Sequence, residues 1–190
     1  LEDLFNFCNR RFGLKTVLMV GEQMLSRLEY VHSKSFLHRD VKPDNFLMGL
    51  DKQGGVVFLI DFGLSKPFLD PKTGAHIGER ERRIADLVGT ARYCSVRSHQ
   101  GLQLSRKDDL ESAAYLLCYL AAPGLPWQGL RASCVREKYD KIGRMKLAAA
   151  PGDMCRGLLP CFAEFLDYAR GLGFQEAPDY ERCRALFRDA

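Results

Sequence analysis

A short polar turn carries residue types that phosphate chemistry uses. Asp40, Lys42 and Asn45 lie within one turn, and Asp61 follows a short run of β-branched and aromatic residues. An aspartate can accept a hydroxyl proton, and a lysine can place a compact positive charge beside a phosphoryl group. Carboxylate and amide oxygens are ligands that Mg²⁺ accepts. Because phosphoryl transfer is catalysed mainly by positioning and charge neutralisation, this set of residues could perform it.

That chemistry requires Asp61 to return to the polar turn. Between them lie the apolar segments Phe46-Leu47-Met48 and Val56-Val57-Phe58-Leu59-Ile60, separated by Gly54-Gly55. Such segments favour strands, and paired glycines favour turns. A small hairpin over residues 46–60 would bring Asp61 beside Asn45, where their oxygens could bind one Mg²⁺.

Helices are predicted for most of the remaining chain. Apolar residues recur every three or four positions over residues 15–34, namely Val17, Val20, Met24, Leu28 and Val31. Ser105 and Asp108 resemble a capping box, and the apolar run that follows to residue 122 predicts a buried helix. Further helices are predicted near 131–142, 160–170 and 179–188, whereas residues 64–104 lack a period. The expected fold is α+β and predominantly α-helical.

Composition excludes several classes of protein. Of the 190 residues 46% are hydrophobic, which argues against a disordered chain, and the longest apolar run is too short to span a bilayer. The net charge of +4 is modest, and no interleaved aromatic and basic motif supports a nucleic-acid-binding domain. The seven cysteines include no Cys-x-x-Cys pair, which predicts reduced thiols in an intracellular protein and no zinc site.

The order and spacing of the motifs are more specific than any one of them, because a lone aspartate in a polar turn is usually solvated or caps the turn. The motifs are, in order, Leu1-Glu2-Asp3-Leu4-Phe5, His38-Arg39-Asp40-Val41-Lys42-Pro43-Asp44-Asn45-Phe46-Leu47-Met48-Gly49, Asp61-Phe62-Gly63, Gly89-Thr90-Ala91-Arg92-Tyr93, Asp108-Asp109-Leu110-Glu111-Ser112 and Leu125-Pro126-Trp127-Gln128-Gly129-Leu130. On these motifs the chain resembles, from its first residue almost to its last, the C-terminal lobe of a protein kinase of the casein kinase I family.

The resemblance implies transfer of the γ-phosphate of ATP to serine or threonine. Asp40 would be the catalytic base, and Lys42 would steady the γ-phosphate. Asn45 and Asp61 would hold Mg²⁺. The small hairpin would carry the catalytic loop and Asp61-Phe62-Gly63.

The resemblance also assigns residues that bind the nucleotide and support the loop. Leu47 and Ile60 would line the adenine side of the pocket, and Asp3 would lie near the ribose. The residues that would support the catalytic loop are His38, Thr90 and Asp109.

A preference for substrates follows from the same resemblance. The family favours serines or threonines downstream of a phosphorylated or acidic residue, and Arg92, Gly129 and Lys138 match the pocket that reads the upstream phosphate. An arginine and a lysine around a backbone N–H are a sensible phosphate receptor. Arg39 and Lys66 match a second possible anion site. The alternative is that these are ordinary surface cations.

The chain departs from the family pattern at three places. The motif Ala-Pro-Glu, which closes this segment in most kinases, is lacking, and Cys94-Ser95-Val96-Arg97 matches the family's Ser-Ile-Asn form only at its serine. Residues 78–87 are slightly longer than the pattern, and residues 132–137 lack the usual basic cluster. These departures concern substrate preference and localisation rather than phosphotransfer.

The resemblance covers only one lobe. The Gly-rich loop, the strand lysine and the helix glutamate of an N-terminal lobe do not occur in these 190 residues. We therefore expect residues 1–190 to be a C-terminal lobe that starts just after the hinge, part of a longer kinase and inactive alone. The full kinase domain is expected to be a monomer in the cytoplasm or nucleus. The alternative is a non-catalytic binding or scaffold module with an exposed apolar patch where the other lobe would pack.

Overall fold

The computed structural model describes residues 1–79, 87–122 and 124–190. The helices within these ranges are α1 (Glu2–Phe7), α2 (Leu14–Ser33), α3 (Val96–His99), α4 (Arg106–Ala121), α5 (Val135–Ala148), α6 (Pro151–Met154), α7 (Pro160–Gly171) and α8 (Tyr180–Arg188). The strands are β1 (Phe36–Leu37), β2 (Phe46–Met48), β3 (Val57–Leu59) and β4 (Lys66–Pro67). This helix-rich fold with small antiparallel sheets confirms the expected α+β class.

Helix α4 forms the centre of the core. Every residue from Asp108 to Leu120 is buried, so the helix is covered on all faces, as its apolar run predicts. It packs between α2 and α7, and α8 lies against α2. The apolar stripe of α2 faces this core, and its five predicted members are all buried.

The predicted hairpin is present. Strands β2 and β3 pair antiparallel, with Phe46 opposite Leu59 and Met48 opposite Val57. The backbone N–H of Ile60 donates to the Asn45 carbonyl at 2.9 Å, which extends the pairing to the residue before Asp61. The hairpin therefore returns the chain to the polar turn.

Several elements differ from the sequence predictions. The sequence does not predict helices α1, α3 and α6 or the pairing of β1 with β4, because elements of two to six residues are too short to display a period. The helix predicted at 131–142 begins instead at Val135, where Glu137 Oε2 accepts a hydrogen bond from the Ser133 backbone N–H at 2.6 Å. Residues 64–79 and 87–104 contain β4 and α3 and are otherwise irregular. The predicted lengthening at 78–87 falls mainly on residues 80–86, which lie outside the described ranges.

No helix in the described part of the chain has the length and apolarity that a membrane span needs.

Candidate active site

Asp40 is fixed by one contact within its own turn and one from a distant part of the chain. Its side chain is buried, with Oδ2 2.6 Å from Lys42 Nζ and Oδ1 accepting a hydrogen bond from Thr90 Oγ1 at 2.8 Å. The hydrogen bond to Asp40 raises the pKa of Lys42, and the nearby charges of Asp44 and Asp61 raise it further. Lys42 is therefore a cation at neutral pH, and Asp40 is held in one orientation.

Asn45 joins the same cluster and is nearly inaccessible to solvent. Its amide nitrogen donates to the Asp40 carbonyl at 2.8 Å, and it lies 3.4 Å from Asp40 Oδ2. Since the nitrogen is occupied, the amide oxygen is the atom available to a cation. Asn45 has this orientation because it closes the short 3₁₀ turn Pro43–Asn45 before β2 begins.

Asp61 lies just after the hairpin and is exposed to solvent. Its φ of 62° is in the left-handed region, and its Oδ1 accepts a hydrogen bond from the Gly63 backbone N–H at 3.2 Å. The hairpin returns the chain to Asn45 at Ile60, the residue before Asp61, and the joint binding of Mg²⁺ by Asn45 and Asp61 stays a prediction. The described ranges contain no cluster of three His, Cys, Asp or Glu side chains able to hold a metal. Two oxygen ligands do suit Mg²⁺, which commonly keeps water and phosphate oxygens as its other ligands.

His38 links the polar turn to the end of the hairpin. The Asp40 backbone N–H donates to His38 Nδ1 at 3.3 Å, so Nε2 carries the proton and donates to the Ile60 carbonyl at 2.9 Å. The ring also contacts Phe62 edge-on at 5.3 Å between centroids. A histidine that uses both ring nitrogens in this way orients the residues before and after Asp61.

Asp109 holds the backbone of the turn from below. Its carboxylate accepts hydrogen bonds from the backbone N–H groups of His38 at 2.7 Å and Arg39 at 2.8 Å, and it contacts His32 Nε2 at 2.8 Å. Burial alone would raise the pKa of Asp109, but the hydrogen bonds with His32 and with the Arg39 backbone N–H help to lower it overall. These contacts suit the loop-supporting role that the resemblance implies for Asp109, and its contribution to catalysis stays a prediction.

Two of the residues predicted to bind the nucleotide lie on the hairpin, and the third lies on α1. Leu47 is 45% exposed and Ile60 is 38% exposed, at neighbouring positions of the hairpin. Asp3 is exposed on α1. The Leu1 nitrogen attaches the start of α1 to the polar turn and to the hairpin, because it donates to the Pro43 carbonyl at 3.1 Å and to the Phe46 carbonyl at 2.5 Å. Exposed apolar side chains on a strand pair could pack against a planar base.

The residues predicted to read a substrate phosphate line one cleft of about 460 Å³. Arg92, Gly129 and Lys138 all contribute, together with Thr90, which also contacts Asp40. The Arg92 guanidinium lies over the rings of Tyr93 and Tyr119, at 5.7 and 5.5 Å from their centroids. Two acidic residues, Glu2 and Asp44, line the same cleft.

The second predicted anion site lies on the ribbon of β1 and β4. Lys66 pairs with Leu37 in this ribbon and is exposed. Arg39 follows β1, and its Nε donates to the Leu64 carbonyl at 2.5 Å. The two cations are brought to one ribbon, but the Arg39 guanidinium is partly committed to the backbone.

Sequence reasoning missed one charged residue beside the cleft. Lys146 is completely buried on α5 and hydrogen-bonds to the carbonyls of Ala91 and Cys94, on either side of Arg92. The signal for it was its spacing of four residues from Ile142, on the buried face of α5. A lysine at an apolar position is easily misassigned to the surface.

The sequence model of the protein kinase domain family matches residues 1–154 of this chain. The match includes the polar turn, the hairpin, the cleft and α5, and it leaves α7 and α8 outside.

Proposed function

The chain belongs to the protein kinase family, and on that premise we propose that it is a serine/threonine kinase of casein kinase I type. It would transfer the γ-phosphate of ATP to serines or threonines of acidic or already phosphorylated proteins. The observation that carries this proposal is the placement of Asp40 between Lys42 and Thr90, with Asn45 and Asp61 brought alongside by the hairpin.

The proposed roles follow from the chemistry of each group. Asp40 accepts the proton of the substrate hydroxyl as the oxygen attacks phosphorus, and its contacts with Lys42 and Thr90 keep the carboxylate oriented. Lys42 is close enough to Asp40 for one ammonium to serve both the carboxylate and the γ-phosphate. Asn45 and Asp61 would hold Mg²⁺, which when bound neutralises charge on the phosphates.

The proposed nucleotide and support residues complete the site. Leu47 and Ile60 would contact adenine, and Asp3 the ribose. His38 and Asp109 would keep the turn rigid through the backbone contacts described above.

The proposed substrate preference rests on the cleft beside Asp40. Arg92 and Lys138 supply positive charge and Gly129 supplies backbone to one concave surface that also reaches Thr90. A phosphate bound there would place a downstream residue of the same peptide near Asp40. We also propose that the protein works as a monomer on protein substrates inside the cell, in the cytoplasm or nucleus, with its thiols reduced.

The test is a phosphotransfer assay with the complete gene product, γ-labelled ATP and Mg²⁺. Two peptides serve as substrates, identical except that one carries phosphoserine upstream of the acceptor serine. We expect phosphate on serine and a higher kcat/KM for the phosphorylated peptide. Absence of transfer to either peptide, by a folded protein, would reject the kinase proposal.

The second candidate function is a non-catalytic binding module. It is favoured by the exposed apolar side chains around the hairpin, with Phe62 51% and Leu64 43% exposed beside Leu47 and Ile60. In that case the same assay would give no transfer, while the chain would still bind a partner through this surface.

A further inference from the structure

A buried lysine lies directly behind the wall of the phosphate cleft. Lys146 has no exposed surface, and its Nζ donates to the Cys94 carbonyl at 2.6 Å and to the Ala91 carbonyl at 2.9 Å. His99 Nε2 lies 3.3 Å from the same nitrogen. One side chain of α5 thus gathers three points of the segment that contains Arg92.

Carbonyl dipoles and aromatic faces surround this charge. Nζ lies 4.9 Å from the ring centroids of both Tyr115 and Trp127, a distance at which a cation is attracted to a ring face. Glu111 is the acid whose charge acts on it, but Glu111 Oε1 accepts hydrogen bonds from the Tyr115 hydroxyl and the Val96 backbone N–H. Burying an ammonium costs free energy unless polar groups surround it. Here the backbone carbonyls of Ala91 and Cys94 and two aromatic rings take that place, and no carboxylate forms an ion pair with Lys146 within the described residues.

The same contacts determine where Arg92 lies. Ala91 and Tyr93 line the cleft on either side of Arg92, and the Arg92 carbonyl accepts a hydrogen bond from Trp127 Nε1 at 2.8 Å. Trp127 also lines the cleft and packs against the Lys146 ammonium. The backbone of Arg92 is therefore fixed by groups that Lys146 itself holds.

Three residues on successive turns of helix α5 line or support the cleft. Lys138 and Ile142 line the cleft, and Lys146 follows Ile142 by one turn on the buried face. Residues spaced by four lie on one side of a helix. A shift of α5 would therefore move the phosphate-contacting Lys138 and the anchor of Arg92 together.

We propose that Lys146 is a positioning residue for the recognition of phosphorylated substrates, acting through the Ala91–Cys94 backbone to hold Arg92 in the cleft. This inference rests on the proposed function of Arg92 and Lys138 as a phosphate receptor. Lys146 also anchors the Ala91–Cys94 backbone in a segment that lacks the motif Ala-Pro-Glu.

The proposal has a pH signature because of the groups that face Lys146. The titratable groups that face it are Cys94 before α3, His99 in α3, Glu111 and Tyr115 in α4, and Arg170 in α7. Burial lowers the pKa of Lys146 to about 8 and that of His99 to about 4, and it raises the pKa of Cys94 and Tyr115. Within this cluster Lys146 is the group expected to lose its charge between pH 7 and pH 9.

Stability and binding should respond to that change in opposite directions. The folded-state pKa of Lys146 lies below its ordinary value of 10.5, so the unfolded chain binds more protons between about pH 8 and pH 10.5. The contribution of Lys146 to the free energy of unfolding therefore rises with pH in this window. Binding of a phosphopeptide should instead weaken as the ammonium is lost.

The test measures the binding of a fluorescent phosphoserine peptide, and of its unphosphorylated form, to this chain by anisotropy. Lys146→Met is compared with Lys141→Met, which removes a partly exposed lysine of the same helix that pairs with Glu137. At pH 7 we expect Lys146→Met to bind the phosphopeptide roughly three- to tenfold more weakly, as for coupling through packed neighbours. Binding of the unphosphorylated peptide and binding by Lys141→Met should stay unchanged.

Each outcome decides between specific claims. Equal phosphopeptide affinity in Lys146→Met and wild type, with circular dichroism unchanged, overturns the role of Lys146 alone. If wild type does not prefer the phosphopeptide, the phosphate-receptor function is rejected, and the role of Lys146 with it. If Lys146→Met fails to fold, the phosphopeptide affinity of the wild-type chain is compared at pH 7 and pH 9. A fall in affinity supports the proposal, and a constant affinity overturns it.

Discussion

At the scale of single residues, two aspartates of the site lie in contrasting environments. Asp40 is buried and hydrogen-bonded by Lys42 and Thr90, whereas Asp61 is exposed in a left-handed turn. A base must hold one orientation toward a hydroxyl, while a cation ligand must remain open to solvent and phosphate. The environments therefore suit the different roles proposed for the two carboxylates.

The cleft leads to a prediction about substrate choice. Replacing Arg92 and Lys138 together by alanine should lower kcat/KM for the phosphorylated peptide roughly 10- to 100-fold, because two charge-assisted contacts to phosphate are lost. The unphosphorylated peptide should lose much less. Steady-state kinetics with both peptides make the comparison.

Arg131→Ala and Lys141→Ala together provide a control of equal charge, at positions that do not line the cleft. The substrate-choice prediction is rejected if the Arg92/Lys138 variant loses the same factor on both peptides while remaining folded.

The residues of the site were predictable from sequence only where they are local. Asp40, Lys42 and Asn45 lie in one turn, so their spacing alone indicates their proximity. Thr90 reaches Asp40 only through the tertiary fold, and only the family resemblance could indicate it. Lys146 escaped both routes, because a buried cation without a carboxylate partner contradicts the usual rule that lysines lie at the surface.

At the scale of elements, the hairpin and α4 were predictable because each has a strong local signal. Paired glycines mark the hairpin turn, and the Asp108 carboxylate accepts a hydrogen bond from the Ser105 backbone N–H at 2.7 Å, as the capping-box pattern predicts. Helix α3 has only a weak local signal, the N-cap Ser95, whose hydroxyl accepts a hydrogen bond from the Ser98 backbone N–H at 3.2 Å. Its position depends on Ser95, whose hydroxyl donates to Asp108 across the fold at 2.6 Å. Contacts of that kind are invisible to a reading of neighbouring residues.

In the connection before α3, we expect replacement of Gly89 to lower the free energy of unfolding. Gly89 has a φ of 84°, and a Cβ built there would lie 2.6 Å from the Arg39 carbonyl oxygen. Gly89→Ala should therefore destabilise the protein by about 1–3 kcal/mol, through strain and displacement of the turn that holds Asp40. Urea unfolding measures the change.

Gly152→Ala is the matched control, because no atom lies within 4 Å of the added Cβ and the residue is within α6. Equal unfolding free energies for Gly89→Ala and wild type would show that the close approach to Arg39 is not a constraint.

At the scale of the whole molecule, the modest net charge of +4 matters less than its distribution. Arg92 and Lys138 face one cleft, and the buried ammonium of Lys146 lies behind its wall. Glu2 and Asp44 line the same cleft and moderate its positive potential. A positive focus of this kind suits the phosphorylated peptide proposed as substrate.

The motifs present in these 190 residues predict how well they transfer phosphate in isolation. They contain no Gly-rich loop to cover the phosphates of ATP, and apolar side chains of the hairpin are exposed. We expect the isolated chain to transfer phosphate extremely slowly or not at all in the phosphopeptide assay. Robust turnover by the purified chain alone would contradict this prediction.

The central claim is that Asp40 is the base of a phosphotransfer site. Its most direct test is kcat for phosphate transfer by the complete gene product and its Asp40→Asn variant, with Asp51→Asn as an exposed control. We predict a loss of about 10²–10⁴ in kcat for Asp40→Asn, the range for a general base, and no change for Asp51→Asn. Ordinary turnover by a folded Asp40→Asn variant would contradict the claim.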